Sequence, residues 1–451
     1  MPMSDPGTRP QALTPGTSMR DWAVYWRVGW LVLLLVVGAA AGVSAVASDP
    51  DWGGTEPENV SNSLTNKAWQ PVIVSGPLGQ MVVAWSDQMS DGVPRNIYVR
   101  RSYDSGRSWS APQVVSETAL MSALPDALFV GSRAFVAWVD QRTVGGENAA
   151  IYEAELEATD TRFIPSSTSL LLMSTRPRLA AGAGKLHVVF NAGANILHAM
   201  RPLAGTTWPT ATRIYTSGIG AIPLFPVLAV GPDGSTLHVV WQEADLGTET
   251  EAIVYKRGQL SGTKADWESA LILATSDGHV FYPVVAADSA GNLHVVWGEE
   301  VEEADQYVRY TRCDIASSQW ISPAVRIDAV PFSVNKQHTT YTHVDLALWE
   351  TDNQVEVCVA WHGFREGGAE DVLVSCSRDG GQTWSAPQNV SGSGYLDATS
   401  IAPSIAFDAS GNLHAVWQEH NAEMGTNVVE NTQVYYAHSL KRFFLPLVMR
   451  K

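Results

Sequence analysis

The chain has 451 residues, 45% of them hydrophobic, and a formal net charge of −17 from 29 basic and 46 acidic side chains. Its hydrophobic content is too high for a disordered chain, and its negative charge excludes the basic surface that nucleic-acid binding needs. Three cysteines are too few for a disulfide framework. The 17 Trp, 37 Gly and 24 Pro residues predict many short strands joined by tight turns.

An uncharged apolar stretch at residues 28–48 follows Arg27, which is typical of an export signal. The small residues at its end fit cleavage after Ala47, and a retained signal anchor is the alternative. We therefore expect a leader at residues 1–47 and a linker at residues 48–56. The protein would be secreted or attached to the cell envelope, and would meet a membrane only through an uncleaved leader.

The last segment, residues 441–451, has seven apolar residues between two basic pairs. Seven residues are too few to span a bilayer. The segment resembles the short apolar tails that close many secreted bacterial proteins, which would imply a role in envelope sorting or attachment. The alternative is an apolar strand end that packs on the body of the protein.

The main feature of residues 57–440 is a sequence repeat with a period of about 55 residues. Each unit has an apolar run, led by proline in most copies, then a turn with Gly or Asp, and then a second apolar run that ends in an aromatic residue. The closing aromatic residues are Trp85, Trp138, Phe190, Trp241, Trp297, Trp361 and Trp417. Each unit therefore reads as two strands joined by a tight turn.

A third strand follows in all seven units, and a fourth follows in six. Four antiparallel strands per unit, repeated seven times, predict a seven-bladed β-propeller. The seventh unit lacks its fourth strand, and residues 57–62 match the fourth-strand segments of other units, such as residues 387–391. We expect residues 57–62 to complete the last blade and close the ring. A six-bladed ring with an extra hairpin is the alternative.

Two turns between third and fourth strands share the pattern Ser-x-Asp-x-Gly-x-Ser/Thr-Trp. Their residues are Ser102, Asp104, Gly106 and Trp109 in the first turn, and Ser377, Asp379, Gly381 and Trp384 in the second. In this pattern Asp accepts backbone N–H bonds, Gly takes a positive φ and Trp packs between sheets. We call residues 102–109 and 377–384 the Asp-box turns, because they resemble the Asp-box, or bacterial neuraminidase repeat.

The chain therefore resembles the sialidase-like Asp-box propellers over residues 57–440. The resemblance implies that the Asp-box turns lie on the face away from the ligand, so that Asp104 and Asp379 are structural. Sialidases of the family carry an arginine in a Phe/Tyr-Arg-Ile-Pro motif before the first Asp-box. Residues 68–73 of this chain read AWQPVI and contain no arginine, which argues against sialidase activity.

Acidic residues stand two positions after the closing aromatic residue in five units. They are Asp87, Asp140, Glu243, Glu299 and Glu419. Because this position begins a loop on the expected ligand face, a ring of carboxylates there could accept hydrogen bonds from sugar hydroxyls, bind a cation or supply an acid catalyst. The alternative is that each acid only ends a strand and is solvated.

Three arginines are expected on the same face or next to it: Arg142, Arg178 and Arg365. Together they could bind a carboxylate, although Arg365 is three blades away from Arg178, and solvated rim charges are the alternative. His187, His238, His294 and His414 recur at the same second-strand position in different blades, so we interpret them as packing residues and predict no metal site.

Cys358 and Cys376 fall on adjacent strands of the sixth unit, where a disulfide is possible outside the cytoplasm. The sequence has no phosphate-binding loop, esterase elbow or zinc-protease motif, and we expect no cofactor. We expect a non-catalytic protein that binds a glycan or another extracellular polymer at the cell envelope. The alternatives are an exo-acting glycoside hydrolase of sialidase type and a scaffold with no small ligand.

Overall fold

The computed structural model describes residue 52 and residues 56–440, with breaks. The breaks are at residues 90–93, 117–119, 142–148, 159–160, 167–174, 246, 248–249, 302–304, 315–318, 322, 329–331, 334–341, 352–353, 365–369, 393–397 and 422–431. The expected leader and the tail at residues 441–451 lie outside the described residues. Within the described part, no helix has the length and hydrophobicity that a membrane crossing requires.

The described residues form seven antiparallel β-sheets, which confirms the seven-bladed propeller and rules out the six-bladed alternative. Blade 1 contains β2 (Trp69–Ser75), β3 (Met81–Asp87), β4 (Asn96–Ser102) and β5 (Gln113–Val114), with a 3-10 helix at Pro77–Gly79. Blade 2 contains β6 (Met121–Val130), β7 (Arg133–Gln141), β8 (Ala149–Glu155) and β9 (Thr161–Ile164). Blade 3 contains β10 (Arg178–Gly182), β11 (Lys185–Ala192), β12 (Asn195–Pro202) and β13 (Thr212–Thr216).

Blades 4 and 5 have the same inner strands but divided outer strands. Blade 4 contains β14 (Ala221–Val230), β15 (Thr236–Asp245), β16 (Glu251–Ser261), β17 (Lys264–Trp267) and β18 (Leu271–Ser276). Blade 5 contains β19 (Val280–Ala287), β20 (Leu293–Val301), β21 (Asp305–Asp314), β22 (Gln319–Trp320), β23 (Val325–Arg326) and β24 (Phe332–Ser333). In blade 5, Pro323 stands between β22 and β23 and has no N–H for the ladder, which accounts for that interruption.

Blades 6 and 7 close the ring. Blade 6 contains β25 (Val344–Thr351), β26 (Gln354–Phe364), β27 (Glu370–Ser377) and β28 (Gln388–Asn389). Blade 7 contains β29 (Ala398–Phe407), β30 (Leu413–Asn421), β31 (Thr432–His438) and, from the start of the chain, β1 (Glu58–Asn59). Asn59 pairs with Tyr435 and Glu58 with Tyr436, so the predicted closure by the N-terminal strand is confirmed.

The hydrophobic core lies between neighbouring blades. Six closing tryptophans and Phe190 are fully buried, and the second strands are buried along almost their whole length. Both faces of each second strand are covered by other blades, which is why these runs are continuously apolar rather than alternating. The first strands of consecutive blades contact one another, and β29 contacts β2, so the ring is continuous.

Two ends of the ring follow from the strand directions. Connections between first and second strands and between third and fourth strands lie at one end, which we call the turn face. The first strands begin, and the second strands end, at the opposite end, which we call the cavity face. Ser105 N donates to Gly79 O at 2.9 Å, so the first Asp-box turn contacts the first turn of its own blade at the turn face.

A disulfide joins β26 and β27 in blade 6. Cys358 and Cys376 are directly paired across the two strands and their sulfur atoms are bonded. Cys313 is a buried free thiol in blade 5. The disulfide links the second and third strands of one blade, so it reinforces that sheet and does not tie one blade to another.

Candidate functional site: the central cavity

A cavity of about 320 Å³ lies on the axis of the ring, at the cavity face. All seven blades contribute to its walls through residues of their first strands or just before them, and Gln418 is added from the second strand of blade 7. Its size is at the lower end of the range for small-molecule sites, about 300–1,000 Å³. The cavity can therefore enclose a ligand as small as one or two sugar residues.

One position from each blade forms what we call the pre-proline ring. In six blades the residue stands directly before the proline that leads the apolar run of the first strand, and in blade 6 Val344 takes the place of that proline. The ring consists of Gln70, Leu124, Arg176, Phe225, Tyr282, His343 and Ala402, and all seven line the cavity. The prolines repeat visibly in the sequence, whereas the residues before them share no chemical type.

Five ring residues have an unusual backbone. Their φ angles lie between +50° and +56°: Gln70, Leu124, Phe225, Tyr282 and Ala402. At each of them the register with the second strand shifts, which marks a β-bulge. A positive φ is unfavourable for a residue with a side chain, and such conformations concentrate at functional sites.

Side chains of the ring and its surroundings fix these bulges by accepting backbone N–H groups. Gln418 Oε1 accepts from Gln70 N at 3.3 Å, and Gln70 Oε1 accepts from Leu124 N of the next blade at 3.0 Å. His362 Nδ1 lies 3.4 Å from the N–H of Ala402. Burial lowers the pKa of His362 to about 3, which keeps the ring neutral and able to accept.

Polar side chains two residues further along the first strands link the blades in the same way. Leu179 N donates to Asp126 at 2.6 Å, and Ile405 N donates to Asp345 at 2.8 Å. In each pair, the backbone donor lies in the blade that follows the carboxylate. These two carboxylates therefore accept hydrogen bonds that link neighbouring blades near the axis, which is a structural role.

Three neighbouring blades present a continuous row of rings to the cavity, which we call the aromatic arc: Phe225, Tyr282 and His343. The ring centroids of Phe225 and Tyr282 are 4.5 Å apart, and those of Tyr282 and His343 are 3.8 Å apart in a stacked arrangement. Aromatic rings in a cavity wall can pack against the C–H groups of a sugar ring.

Blade 3 supplies two arginines to the cavity, and they differ in their partners. Arg178 Nη1 forms an ion pair with Asp126 at 3.3 Å. Arg176 has no hydrogen bond or ion pair with another described residue, and its buried Nε has no acceptor. Burial, followed by the neighbouring charge of Arg178, lowers the pKa of Arg176 to about 10, so its guanidinium remains charged at neutral pH.

Asp345 is the one carboxylate among the cavity-lining residues of the described chain. It accepts backbone N–H bonds from Leu346 at 2.9 Å and from Ile405. Burial raises its pKa above the usual value for aspartate, and the charge of Arg178 opposes that rise. The carboxylate is therefore tied to the backbone on both sides.

None of the five acids that follow the closing aromatic residues is among the residues that line the cavity. Three accept from the indole N–H of their own closing tryptophan: Asp87 at 3.0 Å, Glu243 at 2.9 Å and Glu419 at 2.8 Å. Glu299 pairs with Arg309 of its own blade, and Asp140 is fully buried.

These acids also contact neighbouring segments of the chain. Ser63 Oγ donates to Asp87 at 2.7 Å, and the hydroxyl of Tyr215 in blade 3 donates to Glu243 at 3.1 Å. Burial raises the pKa of Asp87 and of Glu419. Asp87 and Glu243 thus contact residues outside their own blades, whereas Glu299 and Glu419 contact residues of their own blades. A role of these acids in ligand binding stays a prediction.

Of the three arginines singled out from the sequence, Arg178 lines the cavity. Arg142 and Arg365 lie outside the described residues. At the position of the arginine motif of family sialidases, Trp69 and Gln70 line the cavity instead. Arg95 lies over the ring of Trp69 with 3.9 Å between its guanidinium carbon and the ring centroid.

The Asp-box turns are at the turn face, away from the cavity. Asp104 accepts from Ser108 N at 2.9 Å and from Ser108 Oγ at 2.6 Å, and these bonds lower its pKa to about 2. Asp379 makes the same two bonds with Thr383, at 2.8 and 2.6 Å. These contacts have the form expected of a structural turn.

The repeated histidines each pair with a residue of their own blade. The imidazole Nδ1 lies 2.9 Å from the tyrosine hydroxyl in His238–Tyr255, 2.7 Å in His294–Tyr310 and 2.8 Å in His414–Tyr436, and His187 lies 3.1 Å from His198. The histidines therefore do not converge on one point.

Among the described residues, one group has three potential metal ligands within reach of one another: Glu356, Cys358 and Cys376. Its two sulfur atoms are joined in the disulfide and cannot act as thiolate ligands. The group therefore does not fit a metal ion.

No known family model matches this sequence, and no curated protein matches it significantly. Among solved structures, an ulvan lyase, described as a new family of polysaccharide lyase and bound to -[GlcA(1-4)Rha3S]-, has a TM-score of 0.54 at 11% identity over 84% of this chain and 96% of its own.

Two sialidases are similar at a lower level. The intramolecular trans-sialidase from Ruminococcus gnavus has a TM-score of 0.48 at 10% identity, over 88% of this chain and 100% of its own. The NanB sialidase from Streptococcus pneumoniae also has a TM-score of 0.48 at 10% identity, over 87% of this chain and 71% of its own. The seven-bladed propeller of the chain itself confirms the resemblance to sialidase-like propellers as a resemblance of fold alone.

Proposed function

We propose that this chain is an exported, non-catalytic binding protein of the cell envelope, and that its central cavity takes an anionic glycan. The observation that carries the proposal is Arg176. It presents a charged guanidinium to the cavity without a direct partner among the described residues, while the aromatic arc lies beside it. A buried charge is costly unless an opposite charge or hydrogen bonds compensate it, and a carboxylate or sulfate on a sugar would do both.

The charge of the whole molecule supports an electrostatic role for this group. The chain carries a net charge of −17, so most of its surface repels anions. Arg176 and Arg178 both lie in the cavity, and Asp126 pairs with Arg178 alone. One guanidinium in the cavity therefore remains for a ligand.

The shared fold is consistent with a glycan ligand, because the solved structures with this fold include glycan-active enzymes. The alternative is an exo-acting glycoside hydrolase of sialidase type. Most glycoside hydrolases use a pair of carboxyl groups at the scissile bond, whereas sialidases use a tyrosine nucleophile. Among the described residues Asp345 is the single carboxylate in the cavity wall, and its oxygens already accept two backbone N–H groups, which argues against a two-carboxylate hydrolase. Residues 68–73 lack the arginine of the sialidase motif, and this favours binding over hydrolysis of the sialidase type.

The first prediction tests Arg176 by substitution. Purified protein is screened on an array of neutral, carboxylated and sulfated glycans, and the affinity for any acidic hit is measured by calorimetry. We expect Arg176→Ala to weaken that binding by about 10- to 100-fold, because a hydrogen bond to a charged group contributes about 1.5–3 kcal/mol.

The matched control is Arg213→Ala, which removes an exposed arginine from the outer strand of the same blade. It should leave the affinity unchanged. Binding that survives Arg176→Ala would contradict the proposal. A fluorogenic sialoside is assayed in parallel, and turnover that is lost in Arg176→Ala would favour the hydrolase.

A further inference from the structure

The pre-proline ring repeats one backbone device and varies its side chain. Every blade places one residue of the ring at the cavity wall, and five of the seven hold it at nearly the same positive φ at a bulge of the first strand. The residues themselves range from alanine to arginine and tyrosine. A position with a fixed backbone and a variable side chain is suited to determine ligand specificity.

The order of residues around the ring is informative. Arg176 lies in blade 3, the aromatic arc occupies blades 4 to 6, and Ala402 follows in blade 7. A ligand that packs along the arc therefore has a cation at one end and the smallest side chain of the ring at the other. Gln70 and Leu124 complete the circle opposite the arc.

Ala402 has the smallest side chain of the pre-proline ring, and Ile401, Pro403, Ser404 and Gln418 of the same blade also line the cavity. The backbone of Ala402 has a φ of +51°, and its N–H lies 3.4 Å from His362 Nδ1. The position therefore has the backbone conformation of the larger ring residues with a smaller side chain.

We propose that the pre-proline ring sets the specificity of the cavity and that Ala402 marks the exit for the rest of the glycan. One acidic sugar residue packs on the aromatic arc with its anionic group at Arg176. The next sugar residue of the glycan passes over Ala402. This inference rests on the proposed function and goes further, since it assigns an orientation and a size limit to the bound ligand.

The test compares a single acidic sugar with a longer glycan that ends in it. The carboxylated pair of probes is glucuronic acid and a trisaccharide that ends in glucuronic acid. The sulfated pair is a sulfated galactose and a trisaccharide that ends in that sulfated galactose. The two pairs measure the carboxylate and the sulfate separately. Calorimetry is performed on the full chain and on Ala402→Leu. We expect Ala402→Leu to lose at least about tenfold in affinity for the trisaccharide and to keep its affinity for the monosaccharide within about twofold.

Two controls accompany Ala402→Leu. Leu271→Met changes an exposed residue of the outer strand β18, away from the cavity, and should bind both probes as the unaltered protein does. Ala402→Ser keeps a small side chain and should retain trisaccharide binding. Circular dichroism and thermal unfolding show whether each variant is folded.

The outcomes separate this inference from the proposed function. If Arg176→Ala weakens binding but Ala402→Leu weakens neither probe, or both equally, the exit assignment is wrong and the proposed function stands. If Arg176→Ala has no effect on any acidic probe, the proposed function itself fails. The exit assignment places most contacts on the acidic sugar residue. Unaltered protein that binds the trisaccharide but no monosaccharide at all would therefore also contradict this assignment.

Discussion

Gly106 and Gly381, one in each Asp-box turn, lie against a tyrosine of the preceding blade. A Cβ atom on Gly106 would be 1.8 Å from the hydroxyl oxygen of Tyr436, and one on Gly381 would be 2.0 Å from that of Tyr310. Both glycines also have positive φ, at +77° and +89°. The Asp-box pattern therefore needs glycine for the turn and, separately, for the close contact between blades.

The prediction at the residue scale separates the contribution of the positive φ from that of the close contact between blades. Gly106→Ala should destabilise the protein by about 2–4 kcal/mol, since the positive φ costs about 1–2 kcal/mol and the overlap with Tyr436 adds a similar amount. Gly184→Ala is the control, because Gly184 has a φ of +71° but open space around its Cβ. It should show the backbone cost alone. Urea unfolding measures both, and equal losses would show that the tyrosine contact contributes nothing.

The sequence indicated which residues matter at this scale, but not always what they contact. The acids after the closing tryptophans were recognised from their spacing, yet three of them accept from the tryptophan indole two residues earlier. In a strand, residues two apart lie on the same face, which is the signal that could have indicated this contact. The pairing of Tyr215 with Glu243 in the next blade depends on the angle between sheets, and no local pattern encodes it.

The closing strand is short, and side chains supply much of its attachment. Glu58 and Asn59 pair with β31, and Val60 N donates to Val434 O at 2.8 Å. Beyond them, Gln433 Oε1 accepts from Ser61 Oγ at 2.6 Å and from Ser63 N at 2.9 Å, and its Nε2 donates to Ser63 O at 2.9 Å. One glutamine of the last strand thus holds three groups of the first described segment.

The element-scale prediction is that Gln433→Ala loosens the closure of the ring. With about 0.5–1.5 kcal/mol for each hydrogen bond, we expect a loss of about 2–4 kcal/mol in the free energy of unfolding and earlier proteolysis near the N-terminal segment. Gln354→Ala is the control, since Gln354 donates one exposed bond to Arg378 O in a turn of blade 6. A loss no larger than that of the control would mean that the backbone pairing closes the ring unaided.

Most elements could be predicted because duplication repeats the same signals. Seven copies of a turn between two apolar runs fixed the inner strands, and the match of residues 57–62 to other fourth strands fixed the closure. The outer strands of blades 4 and 5 were less predictable, since they are divided into short segments. Outer strands carry few buried residues, so hydrophobic periodicity is weak there.

The cavity wall was missed for a related reason. The residues of the pre-proline ring have no common chemical type, so a search for repeated residues passes over them. Only the proline after them repeats, and a residue before proline is normally extended rather than at positive φ. Their convergence at the axis is a consequence of ring closure, which no single repeat contains.

For the whole molecule, the described ends of the chain and the cavity lie on opposite faces. β1 begins and β31 ends at the turn face, because the last blade has its third and fourth strands in the same directions as the others. The cavity opens where the first strands begin. Attachment of the protein through either end of the propeller would therefore leave the cavity accessible to a polymer.

The most direct test is a crystal structure of the protein with an acidic oligosaccharide identified on the array. The account predicts density in the axial cavity, with a carboxylate or sulfate within hydrogen-bonding distance of Arg176 and a sugar ring against Tyr282 and His343. An oligosaccharide bound at the turn face or along an outer strand, with the cavity empty, would contradict it.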